Sequence, residues 1–239
     1  MINTSYRKNY IGEFVVYKTL LEDGKYQETR EWIPSKLQNT NHAGTAVVLG
    51  NGLSRNICRL DLLSRHKMQR PELRLQTYGC NAVFRDFDPD FLVVTDDTIA
   101  SELSSVEHLS ALAFSTPEIM MNHANKFHLI PNGVRMNAGA VATYLACFDG
   151  HKRIYLLGFD NQTSSAKLNN IYAGTAGYPG TDELSDHSGW DRNMFMIFRA
   201  YPDTEFIRVS SVGPTPASWS RCLNYRQISY RQFVVEVDL

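Results

Sequence analysis

The sequence predicts an α/β protein built on a mostly parallel sheet with helices on both faces. Three observations predict it. Short runs rich in apolar residues recur along the chain, among them 45–49, 91–95, 112–114, 153–157 and 205–209. A strand apolar on both faces has to be covered on both faces, which is the situation of a parallel sheet. Segments with apolar residues at helical spacing separate many of these runs. Finally, Thr45-Ala46-Val47-Val48-Leu49 ends in Gly50-Asn51-Gly52, and Ile57, Leu60 and Leu63 follow at helical spacing, giving strand, glycine turn and helix in succession.

Residues 1–43 read as an N-terminal hairpin and connector. Phe14–Leu20 and Tyr26–Ile33 are rich in β-formers, and Asp23-Gly24 between them predicts a type I′ turn with both central residues at positive φ. Pro34 and the polar stretch to His42 form the connector, and the main domain spans 44–239. After the first strand of that domain, further strands are expected at 73–78, 91–95, 112–114, 127–130, 153–157 and 205–209, joined by right-handed crossovers. Two helices are well marked. Ala140, Tyr144 and Phe148 fall at four-residue steps beside Val141 and Leu145, and Gly150 is a natural stop. Trp190, Met194, Ile197, Phe198 and Tyr201 make a second stripe that Pro202 ends, with Asp186 and Ser188 as candidate caps. That stripe reads as core. Residues 161–189 lack periodicity and are rich in Asn, Thr, Ser, Gly and Asp, the composition of a binding lid or of a disordered insertion.

Composition excludes several classes. A chain of 239 residues with 43% hydrophobic and 21% charged residues can bury one sizeable core and is not disordered. A net charge of −1 with scattered basic residues is not the footprint of a nucleic-acid partner. The four cysteines, Cys58, Cys80, Cys147 and Cys222, form no C-x-x-C pair, which argues against a zinc ribbon and for a reducing, cytoplasmic setting. No apolar run reaches the length of a membrane span, and the first residues show no secretory h-region.

Candidate site residues collect where parallel strands end, the edge at which open α/β sheets bind ligands. Gly50, Asn51 and Gly52 follow the first strand. Glycines there let backbone N–H groups approach a phosphate, and Ser54 offers a hydroxyl or a helix cap. The alternative is a plain tight turn, because G-N-G lacks the full G-x-G-x-x-G and P-loop spacings. Gly79-Cys80-Asn81, Asp96-Asp97 and Gly158-Phe159-Asp160-Asn161 follow later strands. Asp96 and Asp97 suit Mg²⁺ or a ribose, and Asp97 equally suits a helix cap. Asn137, Ala138 and Gly139 open the first marked helix, where small residues serve either a ligand or close packing. His187 stands out of seven histidines by its place at the end of the polar loop, where an imidazole could act as general base.

These segments, in this order, resemble those of bacterial lipooligosaccharide sialyltransferases with a Rossmann-like fold. Gly50-Asn51-Gly52-x-Ser54 is similar to that family's G-N-G-P-S loop. Cys80-Asn81-Ala82-Val83-Phe84 resembles its second segment. Ala138-Gly139, Ala146 and Arg153–Asp160 resemble its S-G … A … I-Y-L-x-G-I-D block, and Asp186-His187-Ser188 sits where it has a G-H-S-like segment. The first and third blocks also resemble motility accessory factors and archaeal 6-hydroxymethylpterin diphosphokinases. The resemblance implies a Rossmann-like nucleotide site with Asn51 and Asn81 on a cytidine nucleotide, and Asn137, Ala138, Gly139 and Asp160 lining it. It implies a CMP-sialic-acid type donor, a hydroxyl acceptor of unknown identity, and His187 as the general base of a glycosyltransferase. No resident cofactor or metal follows from it; Mg²⁺ enters only under the alternative of a diphosphokinase acting on a pterin-like substrate with ATP, where Asp96, Asp97 or Asp160 would hold the ion against the phosphates. A third reading is a non-catalytic nucleotide-binding descendant. Leu53 replaces the family proline and Ala138 the family serine. Asn161 and Gln162 stand where the family has tyrosines that steady the leaving phosphate, and Tyr172 or Tyr178 of the polar loop are the candidates to replace them. The hairpin could serve as an edge extension or as a contact in a homo-oligomer.

Overall fold

The computed structural model describes residues 2–6, 12–34, 44–69, 75–107, 111–123, 126–160, 170–178, 180, 188–210 and 214–239. Eight parallel strands form the main sheet: β4 (Thr45–Leu49), β5 (Gln76–Cys80), β6 (Phe91–Val94), β7 (Leu112–Ser115), β8 (His128–Leu129), β9 (Arg153–Leu157), β10 (Glu205–Val209) and β11 (Tyr225–Ile228). Their spatial order is β11-β10-β9-β4-β5-β6-β7-β8, and every neighbouring pair is parallel. Residues 46–49, 91–94 and 154–157 are buried at successive positions. Successive side chains of a strand point to opposite faces, so both faces of the sheet are covered. The architecture is a Rossmann-like α/β fold.

The chain builds the sheet outward from β4 in one direction through β8, then returns to place β9 on the other side of β4. Pairing of β4 with β9 runs from Thr45 opposite Arg153 to Leu49 opposite Leu157. This is the topological switch point, where loops leaving adjacent strands diverge and open a crevice. The helices are α1 (Leu60–Gln69), α2 (Asp97–Ser104), α3 (Pro117–Asn122), α4 (Ala138–Phe148), α5 (Ser188–Ala200) and α6 (Tyr230–Glu236). Helix α4 packs on β4, β5 and β6 and is covered in turn by α5. It is buried at Ala138 and from Ala140 through Cys147, as a helix apolar all round must be.

The N-terminal sheet is separate and antiparallel: β1 (Ile2–Tyr6), β2 (Gly12–Leu20) and β3 (Tyr26–Pro34). Sequence patterning finds β2 and β3 and misses β1. The turn between β2 and β3 is not type I′. Gly24 alone has positive φ (+78°), Leu21 and Lys25 close the loop, and the loop has three residues with glycine in the left-handed position. Other expectations shift. The second strand predicted for the main domain, 73–78, is β5 at 76–80. Ile57 belongs to a 3-10 turn at Leu53–Ile57 rather than to the helix, which starts at Leu60. Ser188 is the first residue of α5 and not its cap, and Asp186 lies outside the described residues. Strand β11 and helix α6, which has a Ser229–Gln232 capping box, carry no run long enough to be read from sequence.

A buried polar cluster sits beneath α4. The Tyr78 hydroxyl donates to Asp149 Oδ2 (2.8 Å) and lies 3.0 Å from His151 Nε2. His151 is 1% exposed. Burial, only partly offset by Asp149, lowers its pKa to about 4. The unfolded chain therefore takes up a proton near pH 6.5 that the folded chain refuses until about pH 4. This contribution leaves stability flat above pH 6.5 and lowers it as pH falls through the window between. From pH 7 to pH 5 the loss should be about 2 kcal/mol in urea unfolding. His151→Gln should remove that slope, and a wild-type protein equally stable at both pH values would contradict it.

Candidate functional site

The two loops at the switch point pack against each other before they can hold anything else. Gly50 N–H donates to Leu157 O (2.8 Å) and Gly52 N–H to Gly158 O (2.9 Å). Ser54 N–H donates to Asp160 Oδ2 (2.7 Å). A Cβ on Gly50 would stand 2.6 Å from Gly158 O, and one on Gly52 would stand 2.7 Å from both Gly158 O and the Asp160 carboxylate. The glycines are thus required by loop-to-loop contact. This corrects the expectation that their N–H groups cradle a phosphate, because both are consumed inside the protein.

Arg55 locks the arrangement from below. Its side chain is 1% exposed. Nη1 donates to Gly50 O (2.9 Å), and Nη2 to both Asp86 oxygens (2.8 and 3.1 Å) and to the Tyr172 hydroxyl (2.6 Å). Tyr172 in turn donates to Asp86 Oδ1 (2.6 Å). Arg85 holds the same segment from outside, through Thr175 Oγ1 (2.7 Å) and the Ala176 carbonyl (2.9 Å), while pairing with Glu102. Residues 170–178 are therefore fixed beside the first loop, and Ile171 N–H donates to Asn51 O (2.8 Å).

Above this base opens a cleft of about 160 Å³. Gly50, Asn51, Gly52, Asn81, Asn137, Ala138, Gly139 and Asp160, all expected from sequence, line it together. Ser54 does not. It is buried beneath the loop, and the turn's cap position belongs to Gly52 with no side-chain cap. Asn161 and His187 lie outside the described residues. Sequence reasoning offered Tyr178 only as one of two candidates to replace the family tyrosines, and it did not assign Asn170, Trp190, Asp191, Met194 or Trp219 to the lining. Trp190, expected in the core, is 39% exposed at the mouth, while Met194, Ile197 and Phe198 of the same stripe are buried. The apolar periodicity of α5 marked the stripe but not which end of it faces a ligand.

Each polar group in the cleft has a defined orientation. Asn81 adopts positive φ (+45°), and its Oδ1 accepts from Thr95 N–H (3.0 Å). Asn137 caps α4, its Oδ1 accepting from Ala140 N–H (3.0 Å), while its Nδ2 has no partner. Asp160 Oδ1 likewise has none. Tyr178 Oη accepts from Asn51 Nδ2 (2.8 Å) and more weakly from Ala82 N–H (3.5 Å), which leaves its own proton to donate. Burial pushes the Tyr178 phenol well above its ordinary pKa, so that proton stays in place at neutral pH. The cleft therefore presents a fixed set of amide donors and acceptors, one phenol donor and the N-terminus of an eleven-residue helix, walled by Trp190 and Trp219.

Of the three carboxylates considered for Mg²⁺, Asp160 lines the cleft and Asp96 and Asp97 are elsewhere. Asp96 caps α2 by accepting from Ile99 N–H (3.0 Å). Asp97, offered as the cap, is the first helical residue and sits near Asn122 Nδ2 (3.4 Å). Neither lines the cleft. Among the described residues, no helix is long and apolar enough to cross a membrane.

Fold and cleft together define a Rossmann-like α/β protein with a crevice at its switch point. No family model matches the sequence, and no curated protein matches it significantly. Among solved structures, the chain resembles the monofunctional alpha-2,3-sialyltransferase Cst-I from Campylobacter jejuni at TM-score 0.52, with 12% identity over 80% of this chain and 85% of that one. It also matches the sialyltransferase CstII from Campylobacter jejuni, solved with cytidine-5'-monophosphate, at TM-score 0.44, with 14% identity over 74% of this chain and 86% of that one. The chain shares the fold of Cst-I.

Proposed function

We propose that the protein is a glycosyltransferase that binds a CMP-sialic-acid type donor in this cleft and transfers the sugar to an acceptor hydroxyl. The observation that carries the reading is the convergence of Asn51, Asn81, the α4 N-terminus and Tyr178 on one crevice at the switch point. Primary amides both donate and accept, as the edge of a cytosine requires. The α4 N-terminus favours a phosphate. Ala140 N–H is taken by the Asn137 cap and Val141 N–H by the Asn137 carbonyl, so Ala138 and Gly139 N–H are the pair assigned to phosphate oxygens. Tyr178, placed by the fold where the sequence offers no tyrosine directly after Asp160, donates to the leaving phosphate as charge develops on it. His187, adjacent in sequence to Ser188 at the start of α5, removes the acceptor proton. Direct displacement inverts the anomeric centre.

The test is a thermal-shift titration with CMP, CDP, UDP, GDP and ATP, with and without Mg²⁺. CMP should stabilise the protein without added metal, by about 2.7 kcal/mol at a hundred times its Kd. ATP stabilisation abolished by a chelator, with no CMP effect, would overturn the reading.

Gly139→Ala separates binding from folding. A Cβ there meets only ordinary contacts, 3.4 Å to Phe159 and 3.5 Å to Asn137. The substitution should leave stability unchanged or raise it by up to about 1 kcal/mol, since alanine is the better helix former. It should weaken CMP at least about tenfold, because the methyl group occupies the approach to the helix N-terminus. Unchanged CMP affinity would place the phosphate elsewhere.

A further inference from the structure

A second, more open groove of about 420 Å³ lies beside the cleft and shares Asn137 with it. Its lining comes from separate segments. Thr95 follows β6, Thr116 follows β7, Val134 to Asn137 precede α4, and Asn193 lies on α5. Thr95 and Asn193 offer a hydroxyl and a primary amide, Asn137 offers its Nδ2, and the Thr116 hydroxyl, bonded to the Glu118 carboxylate, keeps its oxygen to accept. Val134 and Met136 add apolar surface. Hydroxyl and amide groups set around a small apolar patch complement a sugar ring, whose edge carries hydroxyls and whose faces carry C–H bonds.

The groove's charge is decided by one contact. Arg135 and Glu118 are its only charged lining residues among those described, and they pair with each other. A carboxylate or phosphate entering the groove would meet a guanidinium already committed to an acid, with that acid still beside it.

We infer that this groove seats the acceptor, and that it selects an uncharged polyhydroxylated saccharide over one ending in a carboxylate. The inference rests on the nucleotide-sugar reading of the neighbouring cleft. Asn137 places the two sites in direct continuity, as a transfer between them requires. The Glu118–Arg135 pair acts as the selectivity element by cancelling the one cation an acidic sugar would use.

Saturation-transfer NMR on the full chain saturated with CMP tests this. The probes are methyl β-galactoside and methyl β-glucoside, each beside its uronic acid. At least one neutral glycoside should bind saturably, and each uronic acid should bind no tighter than its neutral counterpart. Thr116→Val combined with Asn193→Ala should weaken the neutral glycoside at least about fivefold and change the CMP Kd less than about twofold, which also reports that the variant is folded. Glu118→Gln should improve uronate binding relative to wild type by freeing Arg135. A chain that does not bind CMP overturns the nucleotide-sugar reading and this inference with it. Retained CMP binding with no neutral-glycoside signal, with tighter uronate binding by wild type, or with indifference to the groove variants overturns this inference alone.

Discussion

Gly158→Ala should destabilise the protein by about 3–5 kcal/mol, a large share of the 5–15 kcal/mol typical of a folded domain. Two costs add. Gly158 has φ of +73°, a conformation that costs an L-residue about 1–2 kcal/mol. Its Cβ would also stand 2.7 Å from Gly50 O and 3.1 Å from Arg55 Cβ. Overpacking of this kind costs about 1–3 kcal/mol even where neighbours can move. Here they are held. Gly50 is fixed by its bond to Leu157 O, its carbonyl accepts from Arg55, and Gly158's own carbonyl accepts from Gly52. Gly174→Ala is the control, with φ of +78° and open space around the Cβ position. It carries the conformational cost alone, about 1–2 kcal/mol. Urea unfolding of both variants decides the matter. A Gly158→Ala protein no less stable than Gly174→Ala would show that the two loops do not need their close approach.

The same glycines show what the sequence could and could not reveal. Gly50 and Gly52 drew attention because a strand ends there, and the loop does lie at the switch point. Their physical reason is a contact with Gly158, over a hundred residues away, which no local pattern exposes. Asn51, Asn81, Asn137 and Asp160 were legible because each follows an apolar run or opens a helix, and parallel strands deliver such positions to one edge. Their individual hydrogen bonds were not.

Arg55 is the clearest omission. Arginine is almost never fully buried unless paired, so a lone Arg in a polar segment reads as surface. Its partners, Asp86 and Tyr172, lie 31 and 117 residues away in sequence. Tyr178 was named as a candidate, but its place in the cleft was hidden for a related reason. Residues 161–189 show no periodicity, yet the stretch from 170 to 178 is ordered by Arg55, Arg85 and the Asn51 carbonyl rather than by any repeating element. Long-range polar contacts of this kind leave no trace in hydrophobic spacing.

His187→Ala should lower sugar transfer by about 10²–10⁴-fold while leaving CMP binding intact, the magnitude expected for loss of a general base. The acceptor hydroxyl is a poor nucleophile until its proton is removed, and a neutral imidazole is the side chain suited to removing it near neutral pH. His187 is joined to Ser188, and Trp190 and Asp191 of the same first turn of α5 line the cleft. The chain therefore reaches the site's wall three residues after the histidine. Wild-type transfer should fall on the acid side, because a protonated imidazole has no lone pair to offer, and the variant should lack that limb. The CMP thermal shift separates chemistry from binding. Full CMP stabilisation with transfer lost supports the base role. Transfer within a few-fold of wild type, or an unchanged acid limb, would exclude His187. Among the described residues lining the cleft, the group to test next would be Asp160, whose Oδ1 is an acceptor without a partner.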